Sequence, residues 1–187
     1  MDVKKAIEER RAYRSLDPVE ITDDLINDLA GCARLAPSCF NNQPWRFVFV
    51  YDRAKLEEMR AVFSKGNEWC YNASMVIAVL GRQEDDCVIR DRVYYRFDVG
   101  MATAFIILRA TELGLVAHPI AGYSPSKTRE VLGIPEDVDV ITLVLVGKHA
   151  DDIKLELTEQ QAAAEPERPA RKALGEFVHR NGYGVVR

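Results

Sequence analysis

Residues 98–115 read DVGMATAFIILRATELGL, and no charge interrupts them between Val99 and Leu108. Val99, Ala102, Phe105, Ile106 and Leu108 recur at helical spacing, and Gly114 can close a helix with a positive φ. The spacing predicts a long helix over much of Val88 to Leu113, the central buried helix of the molecule. Leu115 to Ile120 then reads as a short strand. Met75 to Gly81 is an apolar run of strand length, Val140 to Gly147 a continuous apolar strand, and Trp45 to Tyr51 an alternating strand rich in Val and Phe. Helices fall between them. Residues 3–11 are opened by Asp2. A second helix starts at Thr22, carries Leu25, Ile26, Leu29, Ala30 and Ala33 on one stripe, and is ended by Pro37. Arg53 to Phe63 is a charged surface helix, and Ser124-Pro125 opens another that ends near Leu132-Gly133.

The chain has 187 residues, 48% hydrophobic and 29% charged, which suits one ordinary globular domain. That composition excludes a disordered chain, and there is no run of about 18 apolar residues for a bilayer span. Asp2, Glu8 and Glu9 stand among the first basic residues, unlike a secretory signal, so a cytoplasmic protein is expected. The net charge of −4 argues against a general nucleic-acid binder. Its distribution is uneven: residues 1–14 hold five basic and three acidic side chains, residues 165–187 again five and three, and the rest 15 and 23. Basic termini are either a solvated surface or two ends converging on a small anion such as a phosphate group.

Cys32, Cys39, Cys70 and Cys87 form no CxxC pair, and His118, His149 and His179 lie far apart with no HExxH. No metal site is expected, and the four cysteines are read as reduced thiols in a chain large enough to do without staples. Residues 1–150 read as a single domain. Residues 151–187 form an arm and tail: 151–170 carry Gln160-Gln161, three alanines, Pro166 and Pro169, while Leu174, Phe177 and Val178 are spaced to bury one face of a short helix before a strand-like Tyr183 to Val186. An apolar tail after a polar arm suggests burial against a partner subunit.

Four segments offer chemistry. Arg10, Arg11 and Arg14 put three guanidinium groups at the end of a helix, either complementing its dipole or forming planar forks for a delocalised anion. Ala36 to Phe47, APSCFNNQPWRF, joins helix to strand. Ser38, Asn41, Asn42 and Gln43 there can read the edge of a heteroaromatic ring, or simply form Asx turns. Pro119 to Tyr123 contains Ala121 and Gly122, which allow close backbone approach to a ligand or form a tight turn. Arg168, Arg171 and Lys172 form a second basic cluster that is otherwise a solvated linker.

Together these segments resemble the nitroreductase family of flavin-dependent oxidoreductases, in its shorter form. RRAYR at 10–14 is similar to the family's RRSxR element, and APSCFNNQPWRF to its APSSxNxQPWxF loop. FDVGMATAFIILRATELGL at 97–115 resembles its central helix, HPIAGY at 118–123 its PIxGF segment, and RPARKALGEFVHRNGY at 168–183 its RKxLxEhV tail. The resemblance implies an α+β fold: a central β-sheet flanked by helices, in an interlocked homodimer with exchanged C-terminal arms that holds flavin mononucleotide (FMN) at the interface. It further implies that residues 151–187 complete the dimer and the cofactor's phosphate site. Arg10, Arg171 and Lys172 would hold the phosphate, Arg11 and Ala12 would lie along the ribityl chain, and Arg14 would face the pyrimidine edge. Pro37, Ser38, Cys39 and Asn41 of the other subunit would border the ring, with Gln43 supporting their loop. Ile120, Ala121 and Gly122 would lie on the opposite face. Ala12 and Cys39 stand where the family often has serine, and Ala121 where some members have glutamate, departures that bear on redox tuning and substrate choice.

The implied activity is an FMN-dependent transfer of hydride from NADH or NADPH through flavin N5 to a small-molecule acceptor, a nitroaromatic, quinone or similar compound. No catalytic acid is required, because the flavin carries the chemistry and the protein supplies position and charge. Arg14 would act as an electrostatic stabiliser of reduced flavin. Trp69, Tyr94 and Tyr95 are candidate walls of the acceptor pocket, against the alternative that they serve core or interface. Other readings are a flavin-binding sensor or carrier without steady turnover, a family member that dehalogenates, oxidises azolines or fragments flavin, and a flavin-free protein whose basic ends meet a nucleotide or RNA phosphate.

Overall fold

The computed structural model describes residues 1–184. At its centre lies β7 (Asp139–His149), with β3 (Met75–Gly81) on one side and β6 (Leu115–Ile120) on the other. β2 (Trp45–Val50) borders β3, and β1 (Leu16–Asp17) pairs with the end of β7 beyond β3. All these pairings are antiparallel, in registers such as Val48↔Ala78, Ala78↔Leu143 and Ala117↔Val146. Helices cover both faces, and this explains a continuous apolar run in an antiparallel strand, since neither side of β3 meets water. Met75, Ile77 and Val79 pack toward α2 (Asp23–Arg34) and α4 (Tyr95–Glu112), against Leu29, Ala33, Val99, Ala102, Ile106 and Ala110. Val76, Ala78 and Leu80 face the opposite way, with Met59, Val62, Trp69 and Cys70. Each large apolar side chain sealed in these layers contributes about 1.5–3 kcal/mol.

The local signals act as their chemistry dictates. Asp2 Oδ1 accepts from the Lys5 backbone N–H at 2.8 Å to open α1 (Val3–Glu9), and Thr22 Oγ1 accepts from Leu25 at 3.2 Å to open α2. α3 (Arg53–Met59) continues as a 3-10 turn to Val62. Ser124, Pro125 and left-handed Gly133 delimit α5 (Pro125–Leu132). Gly114, at φ +76°, ends α4.

Three expectations are corrected. The central helix starts at Tyr95, because residues 88–93 form a small hairpin of β4 (Val88–Ile89) and β5 (Arg92–Val93), turned at Arg90 with φ 61°. Leu174, Phe177 and Val178 bury no helical face within this chain: Leu174–Glu176 is one 3-10 turn, and Leu174 and Phe177 are 71% and 57% exposed. The cysteines are not all free. Cys39, just after α2, and Cys87, before the hairpin, converge near the start of α4 with Cα atoms 6.2 Å apart and are joined as a disulfide, while Cys32 and Cys70 remain thiols. In the arm, α6 (Glu159–Ala164) is closed at its N-terminus by a reciprocal Thr158–Gln161 cap. Tyr183 and Gly184 lie in a turn, and Val185 and Val186 of the expected final strand lie outside the described residues. No described helix is long and apolar enough to cross a membrane.

Candidate active site

The two basic ends of the chain meet. Arg10, Arg11, Ala12 and Arg14, in the segment between α1 and β1, line a cavity of about 260 Å³ together with Glu165, Arg168 and Arg171 of the arm. Glu165 holds the arm in place. It is 5% exposed, and its Oε1 accepts the backbone N–H groups of Arg14 and Ser15, each at 2.8 Å. Arg11 clasps the same arm from the other side, donating to the carbonyls of Glu165 at 2.8 Å and Pro166 at 3.1 Å. Arg168 donates to the carbonyls of Glu8 and Arg10. With Arg11 and Arg168 engaged by backbone, Arg10 and Arg171 line the cavity with no carboxylate in ion-pair range among the described residues. Burial, then Arg168 and Arg171, push the Arg10 pKa below its ordinary value. Guanidinium groups gathered in this way could hold a multiply charged anion.

The 118–122 segment reaches the same edge of the sheet through aromatic side chains. His118, on β6, donates from Nδ1 to the Tyr13 carbonyl at 2.9 Å and stacks on Trp69 at 4.8 Å between centroids. The Arg14 guanidinium lies 5.9 Å from the Trp69 ring centre. Trp69 Nε1 donates to Asn67 Oδ1 at 3.2 Å, and Asn67 Nδ2 donates to the Gly122 carbonyl at 3.1 Å. Ile120 is buried, Ala121 is exposed, and a Cβ on Gly122 would come within 2.1 Å of Asn67 Nδ2. The glycine thus admits Asn67. Gly122→Ala is expected to expel that amide and cost about 1–2 kcal/mol through the two lost hydrogen bonds. Urea unfolding would show the penalty shrinking in an Asn67→Ala background, because the two changes break one contact.

Burial pushes the His118 imidazole down from 6.5 to about 4, against the opposing pull of its bond to Tyr13. The folded protein therefore holds this histidine neutral where the unfolded chain charges it. Its contribution is complete above pH 6.5 and is lost as pH falls through 4, about 3 kcal/mol in all. Urea midpoints measured between pH 7 and pH 4 should show this slope, and His118→Gln should flatten it.

The connecting loop after α2 stands apart from the cavity within this chain. Ser38 Oγ accepts from the Gln43 N–H at 3.0 Å, and Gln43 Nε2 donates to the Asn41 carbonyl at 3.2 Å. Phe40, Asn41 and Gln43 all have positive φ, 49°, 59° and 52°, an uncommon backbone for residues with side chains. The Cys39 N–H donates to Asp98 Oδ2 at 2.6 Å, which ties the loop to the first turn of α4. Pro37 and Asn41 are exposed, Ser38 and Cys39 half-buried, and Lys172 is exposed away from the cavity lining.

Two candidate pocket residues are withdrawn from that role by packing. Trp69 is 1% exposed within the core, and Tyr95 is 4% exposed with its hydroxyl donating to Asp139. Neither offers a free ring face, whereas Tyr94 stays half-buried at the N-terminus of α4. Sequence reasoning missed Glu165, one carboxylate among many, and the bond between Cys39 and Cys87, for which spacing carries no signal.

An antiparallel sheet covered by helices on both faces, with an arm folded back to complete a guanidinium-lined cavity, defines an α+β protein. The chain belongs to the nitroreductase family, an oxidoreductase family whose sequence profile matches residues 7–68 and 63–148. It is 33% identical over 157 residues to a protein of Archaeoglobus fulgidus provisionally assigned as an NADH dehydrogenase/NAD(P)H nitroreductase, covering 79% of this chain and 86% of that one. Its fold is similar to that of an oxidoreductase containing FMN, with TM-score 0.83, 24% identity and coverage of 100% and 95% of the two chains. A nitroreductase family protein of Clostridium difficile 630 superposes with TM-score 0.78 at 20% identity over the whole of both chains.

Proposed function

We propose that this protein is an FMN-dependent oxidoreductase that takes hydride from NADH or NADPH and passes it to a small oxidised acceptor such as a nitroaromatic or a quinone. The observation that carries this reading is the cavity between residues 10–14 and 165–171, in a family fold one of whose solved relatives contains FMN. Bound FMN would supply the two-electron chemistry through its ring. Arg10 and Arg171 suit the phosphate, since a dianion relieves the repulsion among the guanidinium groups. Ala12 lies at the cavity wall, with Arg11 fixed behind it by the arm carbonyls. Arg14, held through its own backbone by Glu165, carries a positive charge beside the Trp69 ring, which Asn67 links to Gly122, and there it would stabilise negative charge on a reduced flavin ring bordered by Ile120, Ala121 and Gly122.

The loop of Pro37, Ser38, Cys39, Asn41 and Gln43 would border the ring from a second subunit. Support for a homodimer comes from apolar surface left open on this chain. Val3, Leu35, Phe97 and Phe105 are 71%, 74%, 65% and 38% exposed, and Met1, Val3, Ala6, Cys32, Leu35 and Phe105 line an apolar hollow of about 320 Å³. Residues 174–183, with Phe177 and Tyr183 exposed, would complete the same assembly as an arm.

The test is the visible spectrum of the purified protein, before and after anaerobic addition of NADH or NADPH, with released cofactor identified by chromatography. A yellow protein that releases FMN, bleaches with a nicotinamide and consumes it steadily with a quinone supports the proposal. A protein that remains colourless after incubation with excess FMN would overturn it.

A further inference from the structure

We propose that Cys39 and Cys87 are a site of reversible thiol–disulfide exchange with a dithiol, whose oxidised form clamps the loop at residues 37–43 in shape and whose reduced form releases it. The inference rests on the reading above in one respect: the loop is taken to border the flavin.

The loop is held at few points. Three of its residues, Phe40, Asn41 and Gln43, sit in the left-handed region, and Phe40 is 83% exposed, so packing does little to enforce that shape. Two kinds of tie reach outward. The Cys39 N–H bonds to Asp98 Oδ2, and Asn42 Nδ2 donates to Asp86 Oδ1 at 3.2 Å. The covalent tie joins Cys39 to Cys87, the residue after Asp86, across 48 positions of sequence. The chain has no structural need of a staple here. Its core is sealed on both sides of the sheet, and the hairpin that follows Cys87 exposes Val88 and Val93.

The surroundings of the sulfurs fit exchange. Both cysteines are half-buried, within reach of a small dithiol, unlike Cys70, which is 2% exposed and whose thiol is pushed up by burial. An Asp86 carboxylate oxygen and the two sulfurs lie within 4.8 Å of one another, and Asp86 Oδ2 is buried without a hydrogen-bond partner among the described residues. Oδ1 of the same carboxylate already accepts from Asn42 and from the Cys87 N–H, so it is the single oxygen Oδ2 that is costly to bury beside a disulfide, and a neighbouring S–H gives it a donor. Asp98, 1% exposed, is pushed upward by burial, opposed by its bond from the Cys39 N–H and reinforced by the Asp86 carboxylate.

In the reaction, a thiolate of the external dithiol attacks one Sγ and the Cys39–Cys87 S–S bond breaks. The departing cysteine thiolate takes a proton from solvent. The second thiol of the reagent then attacks the mixed disulfide, closes its own S–S bond and frees the other cysteine. The protein gains two electrons and two protons, and the dithiol loses the same.

The experiment uses full-length protein purified in air. Native protein is treated with iodoacetamide before and after dithiothreitol, labelled positions are mapped by mass spectrometry, and FMN binding is titrated by fluorescence quenching in both states. Cys39 and Cys87 are expected to resist label until dithiothreitol is added and then to take it, to recover resistance on reoxidation, and to weaken FMN binding about tenfold when reduced, through loss of preorganisation. Cys87→Ser should show the weaker binding in both conditions and ignore the reductant. Label at both positions without reductant, resistance of the native pair to dithiothreitol, or unchanged FMN binding on reduction would each overturn the proposal. Failure to bind FMN in either state would sink the flavin reading and the clamp together, while the labelling pattern would still decide whether the pair exchanges.

Discussion

A protein carrying Arg10→Ala and Arg171→Ala is expected to fold normally and to lose FMN on dilution. Each charge-assisted bond to a phosphate oxygen is worth about 1.5–3 kcal/mol, so each single substitution should weaken binding about tenfold to a hundredfold, with the double variant weaker still. The two residues come from opposite ends of the chain and share one cavity with Arg168, a crowding that already depresses Arg10. Removing either charge relieves that repulsion, so the cofactor-free variants should melt no lower than the parent, and slightly higher at low salt. Thermal melts with and without FMN check both halves: the parent gains stability with ligand concentration, and the double variant does not. A fall in the melting temperature of the cofactor-free double variant would mean that these arginines serve the fold instead.

Glu165→Ala should act in the opposite sense, on the protein before it acts on the ligand. The change deprives two backbone N–H groups, those of Arg14 and the buried Ser15, of one carboxylate oxygen. Bonds to a charged group and the desolvation of orphaned donors put the cost at about 3–5 kcal/mol. Because the carboxylate joins the arm to the body, the loss should first appear as local opening: residues 151–184 become susceptible to proteases at denaturant concentrations where the sheet is intact. Glu165→Gln keeps an acceptor oxygen and should restore most of the protection. FMN affinity should fall with the alanine variant as well, since Arg168 and Arg171 follow Glu165 into the cavity wall.

Much of the layering was legible because it rests on local rules. Met75–Gly81 is a strand over its full expected span, since an apolar run too short for a helix must be sealed on both faces, and β3 is. α2 and α5 begin where Thr22 and Ser124 can cap them. The start of α4 was not legible. Val88, Ile89 and Val93 continue an apolar rhythm, and what breaks the helix is a left-handed Arg90, which its side chain does not announce. At the site, basic clusters at both ends of the chain were visible, with the convergence of Arg10 and Arg171 as one of two readings they allowed. Trp69 gave no such clue: an aromatic ring reads alike as platform or as core, and only the stack on His118 and the bond to Asn67 decide it. The Cys39–Cys87 bond and the Glu165 latch depend on distance in space between residues remote in sequence, which no local pattern encodes.

A cavity walled by residues 10–14 and 165–171 also imposes an order of events on biosynthesis. Ribosomes add about 5–20 residues per second, so the first wall waits roughly 8–30 seconds for the second. Throughout that interval the nascent chain can assemble its early helices and strands, but it presents the cationic segment without its lid. On the proposed function, capture of an anion would therefore wait for the arm, and a chain that terminates ahead of Glu165 should build the sheet and leave the ribosome unable to keep a cofactor.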